Sequence, residues 1–129
     1  MSKGWYGVDL DGTLAFYDGW RGEDHIGEPI PAMVARVKRW LSEGRDVRIF
    51  TARMDGGTVA LAAGDFRGAL FQDRERIRGY IDAWCLKHIG QTLPVTNIKD
   101  YAMIQLWDDR CVQVEPNTGR RMDGKAEDE

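Results

Sequence analysis

The sequence predicts an α/β fold: a three-layer α/β/α sandwich around a Rossmann-like, mainly parallel five-stranded sheet, with no separate cap domain. Three observations lead there. Short apolar runs rich in β-branched and aromatic residues alternate with stretches of helical period. Acidic residues stand at the carboxyl ends of two of those runs, Asp9 at the edge of the first and Asp108 directly after a later one, where open parallel sheets bind their ligands. At 129 residues, 43% of them hydrophobic, the chain buries one core and has no room for a second.

Trp5 to Leu10 reads as the first strand. Gly12 to Glu28 mixes glycine, aromatic and charged residues without a sustained period, which predicts an irregular flap over the strand end. Pro31 suits a first helical position; Met33, Val34, Val37, Trp40 and Leu41 follow at helical spacing, and Gly44 ends the helix. Asp46 to Phe50 is a second strand, with Thr51-Ala52-Arg53 at its carboxyl end. Met54 to Gln72 reads equally as a loop or a short helix. Asp73 is the expected N-cap of a helix with Ile77, Tyr80, Ile81, Trp84, Cys85 and His88 on its apolar side, stopping at Gly90. Leu93 to Asn97, Met103 to Trp107 and Cys111 to Glu115 complete five strands. Residues 1–118 form the single expected domain, and 119–129 are too charged and too poor in apolar residues to pack, an expected disordered tail.

A net charge of −3 with interspersed signs gives no general reason to bind nucleic acid or an anionic membrane, although a local basic pocket stays open. No apolar stretch approaches the length of a membrane span. Cys85 and Cys111 lack metal-ligand spacing and no secretory signal is read, so reduced thiols in a cytoplasmic protein are the expectation.

The chemistry concentrates in Val8-Asp9-Leu10-Asp11-Gly12-Thr13. Asp9 and Asp11 flank one residue, and Gly12 lets the chain leave the strand sharply, so two carboxylates share a small volume. Their repulsion calls for a divalent cation, a shared proton or intervening solvent. Asp108-Asp109 follows the fourth strand and can turn toward the first pair, making a hard oxygen site of the kind Mg²⁺ prefers. Thr51 offers a hydroxyl and neighbouring backbone N–H groups, and Lys99 a fixed positive charge, as an anionic phosphoryl group requires. Taken singly these residues have ordinary explanations: Asp11-Gly12 as a turn, Asp108-Asp109-Arg110 as a solvated ion pair, Thr51 as a cap and Lys99 as a surface lysine. Arg53 and Arg110 fit substrate phosphate or the acidic cluster equally well. His25 and His88 read as a flap residue and a helix-face residue, Trp40 and Trp84 as core.

The set, in this order, resembles the haloacid dehalogenase-like hydrolases: Asp9-Leu10-Asp11-Gly12-Thr13, then Thr51 after an apolar strand, then Lys99, then Asp108-Asp109, covering residues 5 to about 115. The resemblance implies that Asp9 is the nucleophile of an aspartyl-phosphate mechanism and Asp11 the general acid, then base. It implies Mg²⁺ held by the Asp9 side chain, the Asp11 main-chain carbonyl and Asp108, with Asp109 bound directly or through water. Thr51 and Lys99 would grip the phosphoryl group, with Gly12, Thr13, Ala52 and Arg53 around the substrate. Family dehalogenases lack a carboxylate at the position of Asp11, which favours phosphoryl transfer. Like other capless members, the chain would act on large substrates reaching an open site, or borrow a lid from a second copy in a homo-oligomer; Trp20, Arg21, Asp24, His25 and the 54–72 segment are the candidate selectors.

Three functions follow from this reading. The first is a Mg²⁺-dependent phosphomonoesterase acting on a phosphorylated small molecule or nucleotide. The second is a nucleotide or nucleic-acid-end phosphatase, since the Asp-Asp-Arg ending and the missing cap are similar to the phosphatase domain of polynucleotide kinase-phosphatases. The third is a non-catalytic metal-binding domain similar to receiver phospho-acceptors, disfavoured because receivers carry their acidic pair first in the chain.

Overall fold

The computed structural model describes residues 4–54 and 69–125, without the side chains of 69–73. Four strands, β1 (Trp5–Val8), β2 (Asp46–Phe50), β3 (Val95–Thr96) and β4 (Met103–Trp107), form one sheet in the order β3-β2-β1-β4. Every pairing is parallel. Two helices, α1 (Pro31–Ser42) and α2 (Ala69–His88), connect β1 to β2 and β2 to β3.

The elements form for local reasons. Pro31 opens α1, where its missing N–H costs nothing, and Met33, Val34, Val37 and Trp40 point inward at i, i+3/i+4 spacing. Gly44 adopts a positive φ of 79° just past the helix end. The alternation in β2 buries Val47 and Ile49, which lie opposite Tyr6 and Val8 of β1. Along α2, Ile77, Ile81 and Cys85 are fully buried. They join Val8, Val47, Ile49 and the α1 residues in a single core.

That single core has a topological cause. The connections β1-α1-β2 and β2-α2-β3 step the same way across the sheet, and right-handed crossovers therefore lay both helices on one face. The return from β3 to β4, residues 97–102, passes the other face without a helix. There Trp5 is covered by Phe50, with ring centroids 6.4 Å apart, and by the Arg48 guanidinium 4.6 Å from its ring. Among the described residues the arrangement is thus a two-layer α/β fold with four strands, where the sequence predicted three layers and five strands. The fifth strand expected over Cys111–Glu115 does not join the sheet; Val114 instead makes an isolated antiparallel bridge with Arg121. With Thr118 N–H donating to Glu115 O, the segment folds back on itself in a turn.

Other boundaries moved as well. The first strand ends at Val8, because from Leu10 the chain enters a tight turn in which Thr13, Leu14 and Ala15 N–H all donate to Leu10 O. Already helical at Ala69, α2 makes Asp73 an interior position and not an N-cap. The third strand is only Val95–Thr96. Most of the 54–72 segment, residues 55–68, lies outside the described residues, while Ala52–Met54 form one 3₁₀ turn. Of the polar tail expected over 119–129, residues 119–125 are described and include the Arg121–Asp123 ion pair at 2.7 Å. No described helix is long and apolar enough to cross a membrane. Both cysteines are free thiols, Cys85 buried and Cys111 exposed.

Candidate active site

Three of the predicted residues stand immediately after parallel strands at the carboxyl edge: Asp9 after β1, Thr51 after β2 and Asp108 after β4. The chain leaves β1 toward β2 on one side and meets β4 on the other, so Asp9 and Asp108 flank the switch point of the sheet, where a crevice opens. The ladder continues one residue further as Asp9 N–H donates to Trp107 O at 2.8 Å.

Asp9, Asp108 and Asp109 converge there, each offering an oxygen within 4.8 Å of the others. Asp9 is hydrogen-bonded to Asp109. Burial first, then that hydrogen bond and the charges of Asp108, Asp109 and Asp11, push the Asp9 carboxyl up to about 8. At pH 7 the Asp9 carboxyl is therefore mostly protonated when no cation is bound. The donor set suits a hard divalent ion, since octahedral Mg²⁺ with bonds of about 2.1 Å spans oxygens up to about 4.2 Å apart.

Thr13 and Gly12 lock the two motifs together. Thr13 Oγ1 donates to Asp109 Oδ1 and accepts from Asp109 N–H, both at 3.1 Å. Arg110 N–H donates to Asp108 Oδ1 at 2.7 Å, which sets the turn carrying the second pair. Gly12 has φ +91°, and a Cβ there would lie 2.4 Å from Asp109 Oδ2. Gly12→Ala is therefore expected to push Asp109 away and to cost about 1–3 kcal/mol of stability. Thermal melts of the variant beside the parent check this; an unchanged melting temperature would remove the tight approach of Gly12 to Asp109 as a requirement.

The Asp11 carboxylate lies near Asp9 but outside the group of three: it is held by Arg53, with Nε 2.6 Å from Oδ2 and Nη2 2.8 Å from Oδ1, a bidentate fork. The Arg53 side chain is 4% exposed. Its remaining donors reach the flap, Nη1 to Glu23 O at 3.1 Å and Nη2 to His25 O at 2.7 Å, and the indole of Trp20 lies 5.0 Å from the guanidinium. The flap is tied at both ends, Phe16 N–H to Glu28 O and Ile30 N–H to Leu14 O. It is also tied to α2, through Trp84 Nε1–H to Gly27 O and an Arg76–Glu23 ion pair. Arg53, predicted as substrate-binding or as a partner of the acidic cluster, is thus the partner of Asp11 and the anchor of the flap.

Thr51 is buried, and its Oγ1 accepts from Arg53 N–H at 3.1 Å, which leaves the hydroxyl hydrogen for another acceptor. Ala52 begins the 3₁₀ turn and is exposed. Lys99 is exposed, and no contact joins it to the carboxylates. Its neighbour Asp100 takes hydrogen bonds from Trp5 Nε1 and Ala102 N–H, fixing the crossover against the start of β1. Trp40 and Trp84 are core, as expected, and His88 packs on Trp84.

Two further residues were not singled out for the site. Arg36 of α1 and Trp107 of β4 line, with Asp108 and Asp109, an open cleft of about 320 Å³. In the sequence Arg36 looks like any solvent-facing helix charge and Trp107 like strand packing; no local signal distinguishes them.

No protein-family model and no curated protein sequence matches the chain. A solved structure, of a conserved protein coded by a locus from Bacteroides thetaiotaomicron, is similar over 84% of this chain and 78% of that one, with a TM-score of 0.51 and 21% sequence identity. At that identity the likeness concerns the α/β fold alone.

Proposed function

We propose that the protein is a Mg²⁺-dependent phosphomonoester hydrolase of the haloacid dehalogenase-like type, acting through an aspartyl-phosphate on Asp9. The observation that carries the reading is the convergence of Asp9, Asp108 and Asp109, with carboxylate oxygens within 4.8 Å of one another, at the switch point of a parallel sheet.

A carboxylate attacks a phosphate dianion only where the approach of like charges is neutralised. Mg²⁺, held by Asp9, Asp108 and Asp109, would supply that neutralisation. Asp9 then presents one carboxylate oxygen to phosphorus, the bond from phosphorus to the ester oxygen breaks, and that oxygen takes a proton from Asp11, which must first turn out of the Arg53 fork and be protonated from solvent. In the second half the same carboxylate of Asp11 takes a proton from water, which attacks the phosphoryl-Asp9 and restores both residues. Before that turn Arg53 holds Asp11 through its two hydrogen bonds. The Thr51 hydroxyl is the proposed donor to the phosphoryl oxygens, while Lys99 enters the reading only through the resemblance, since its neighbour Asp100 is fixed against the start of β1 at the other edge of the sheet. The flap, anchored on Arg53, limits water around the intermediate.

The test is phosphate release from p-nitrophenyl phosphate with Mg²⁺ and with EDTA. Turnover is expected only with Mg²⁺ and is expected to return when the ion is restored. Release that is indifferent to chelation, or no release from a panel of phosphomonoesters, would overturn the reading.

A further inference from the structure

The cleft beside the acidic group carries a positive charge that the hydrolytic steps leave unused. Arg36 stands on α1 with its guanidinium carbon 4.6 Å from the centre of the Trp107 ring, and Nη1 donates to Met33 Sδ at 3.4 Å. Among the described residues no carboxylate forms an ion pair with it, although Asp108 and Asp109 line the same cleft. Those two carboxylates face the metal site and the Thr13 and Arg110 contacts instead. A guanidinium held over an indole and tethered through Nη1 keeps its other N–H groups for bidentate binding of an oxyanion. Between Arg36 and the acidic group the wall is apolar, made by Ile30, Met33 and the indole of Trp107. The volume of about 320 Å³ is at the lower end of small-ligand sites, the size of a molecular fragment and not of a macromolecular surface.

We infer that this cleft receives the leaving-group half of the substrate and that Arg36 binds a second phosphate on it, so that the preferred substrates are phosphomonoesters carrying another phosphate across an apolar or planar body. The inference rests on the hydrolase reading for the position of the first phosphate. A nucleoside bisphosphate and the phosphorylated end of a short oligonucleotide both have this chemistry, and they differ in whether the second phosphate is a monoester or a diester.

Binding to the full chain carrying Asp9→Asn, with Mg²⁺ present, tests it without turnover. Calorimetric titration with adenosine 3′-monophosphate, adenosine 3′,5′-bisphosphate and a 3′-phosphorylated dinucleotide is expected to show at least tenfold tighter binding of one or both doubly phosphorylated ligands. The tighter of the two identifies the source. Adding Arg36→Gln is expected to reduce that preference to less than twofold, while Arg39→Gln, an equal change of charge on the same helix, keeps it. Arg36→Lys, which retains the charge and the stem, is expected to keep only part of the preference because it lacks the planar fork. Equal binding of the mono- and bisphosphates overturns the inference, as does a preference that survives Arg36→Gln or disappears equally in Arg39→Gln. Failure of the hydrolase reading would show separately, as absence of phosphate release from the parent protein.

Discussion

Asp9→Asn is expected to abolish phosphate release and, at the same time, to raise the melting temperature of the metal-free protein. The loss of activity follows from removing the proposed nucleophile. The gain in stability follows from the neighbours of Asp9. In the unfolded chain its carboxyl ionises near 3.8, whereas burial, the Asp109 hydrogen bond and three nearby carboxylates raise it to about 8 in the fold. Between those values the folded protein holds a proton that the unfolded chain has released. Stability of the metal-free protein therefore falls as pH rises from about 4 to about 8 and levels off above. An asparagine carries no such penalty. Because the carboxylate is only partly buried, solvent screens much of the repulsion, and the gain at pH 8 is about 1–2 kcal/mol. Mg²⁺ should reverse the order, stabilising the parent by about 2.7 kcal/mol at a hundredfold excess over its dissociation constant and the variant far less. Melting curves from pH 5 to 9, in EDTA and in Mg²⁺, together with phosphate release, check both halves. Turnover retained in the variant would remove Asp9 as nucleophile. A lower melting temperature in EDTA would contradict the crowding of charge around it.

Arg53→Met is expected to cost about 2–4 kcal/mol of stability and at least a hundredfold in kcat. A side chain that is 4% exposed holds both oxygens of Asp11 and the carbonyls of Glu23 and His25. Methionine fills similar space but leaves one carboxylate without its counter-charge and two flap carbonyls without donors. Adding Asp11→Asn should recover part of the stability, since the stranded charge is gone, and none of the activity. Arg53→Lys should not rescue either property, because an ammonium cannot serve both carboxylate oxygens and the flap from one plane. Urea unfolding of the four species in the cycle gives the coupling between Arg53 and Asp11. Strictly additive effects would mean that the fork does not hold Asp11, and full turnover in Arg53→Met would mean that Asp11 needs no such support.

Both predictions turn on contacts of very different legibility. Asp9 and Asp108 were readable because each follows an apolar run, and the edge of a parallel sheet collects such residues whatever the details of the loops. Pro31, Gly44 and the alternation in β2 likewise act through dihedral preference and period, which are properties of a few neighbouring residues. The ends of β1 and α2 were less readable, since the turn at Leu10 and the helical start at Ala69 are decided by hydrogen bonds and packing that no short window contains. Asp73 has the chemistry of a cap and stands inside a helix. Cys111–Glu115 has the composition of a strand and pairs within its own turn instead of with the sheet.

The sequence by itself determined the alternation of strands and helices, the acidic residues at the ends of β1 and β4, and the glycine that lets the chain leave β1 sharply, because backbone preference and hydrophobic period are written locally. Only the tertiary structure decided that both helices share one face, that Asp11 answers to Arg53 rather than to the other carboxylates, and that Arg36 lies over Trp107 beside the acidic group. The partner of a charge is set by which side chains the crossovers carry into the same few ångströms, and that depends on the path of the whole chain.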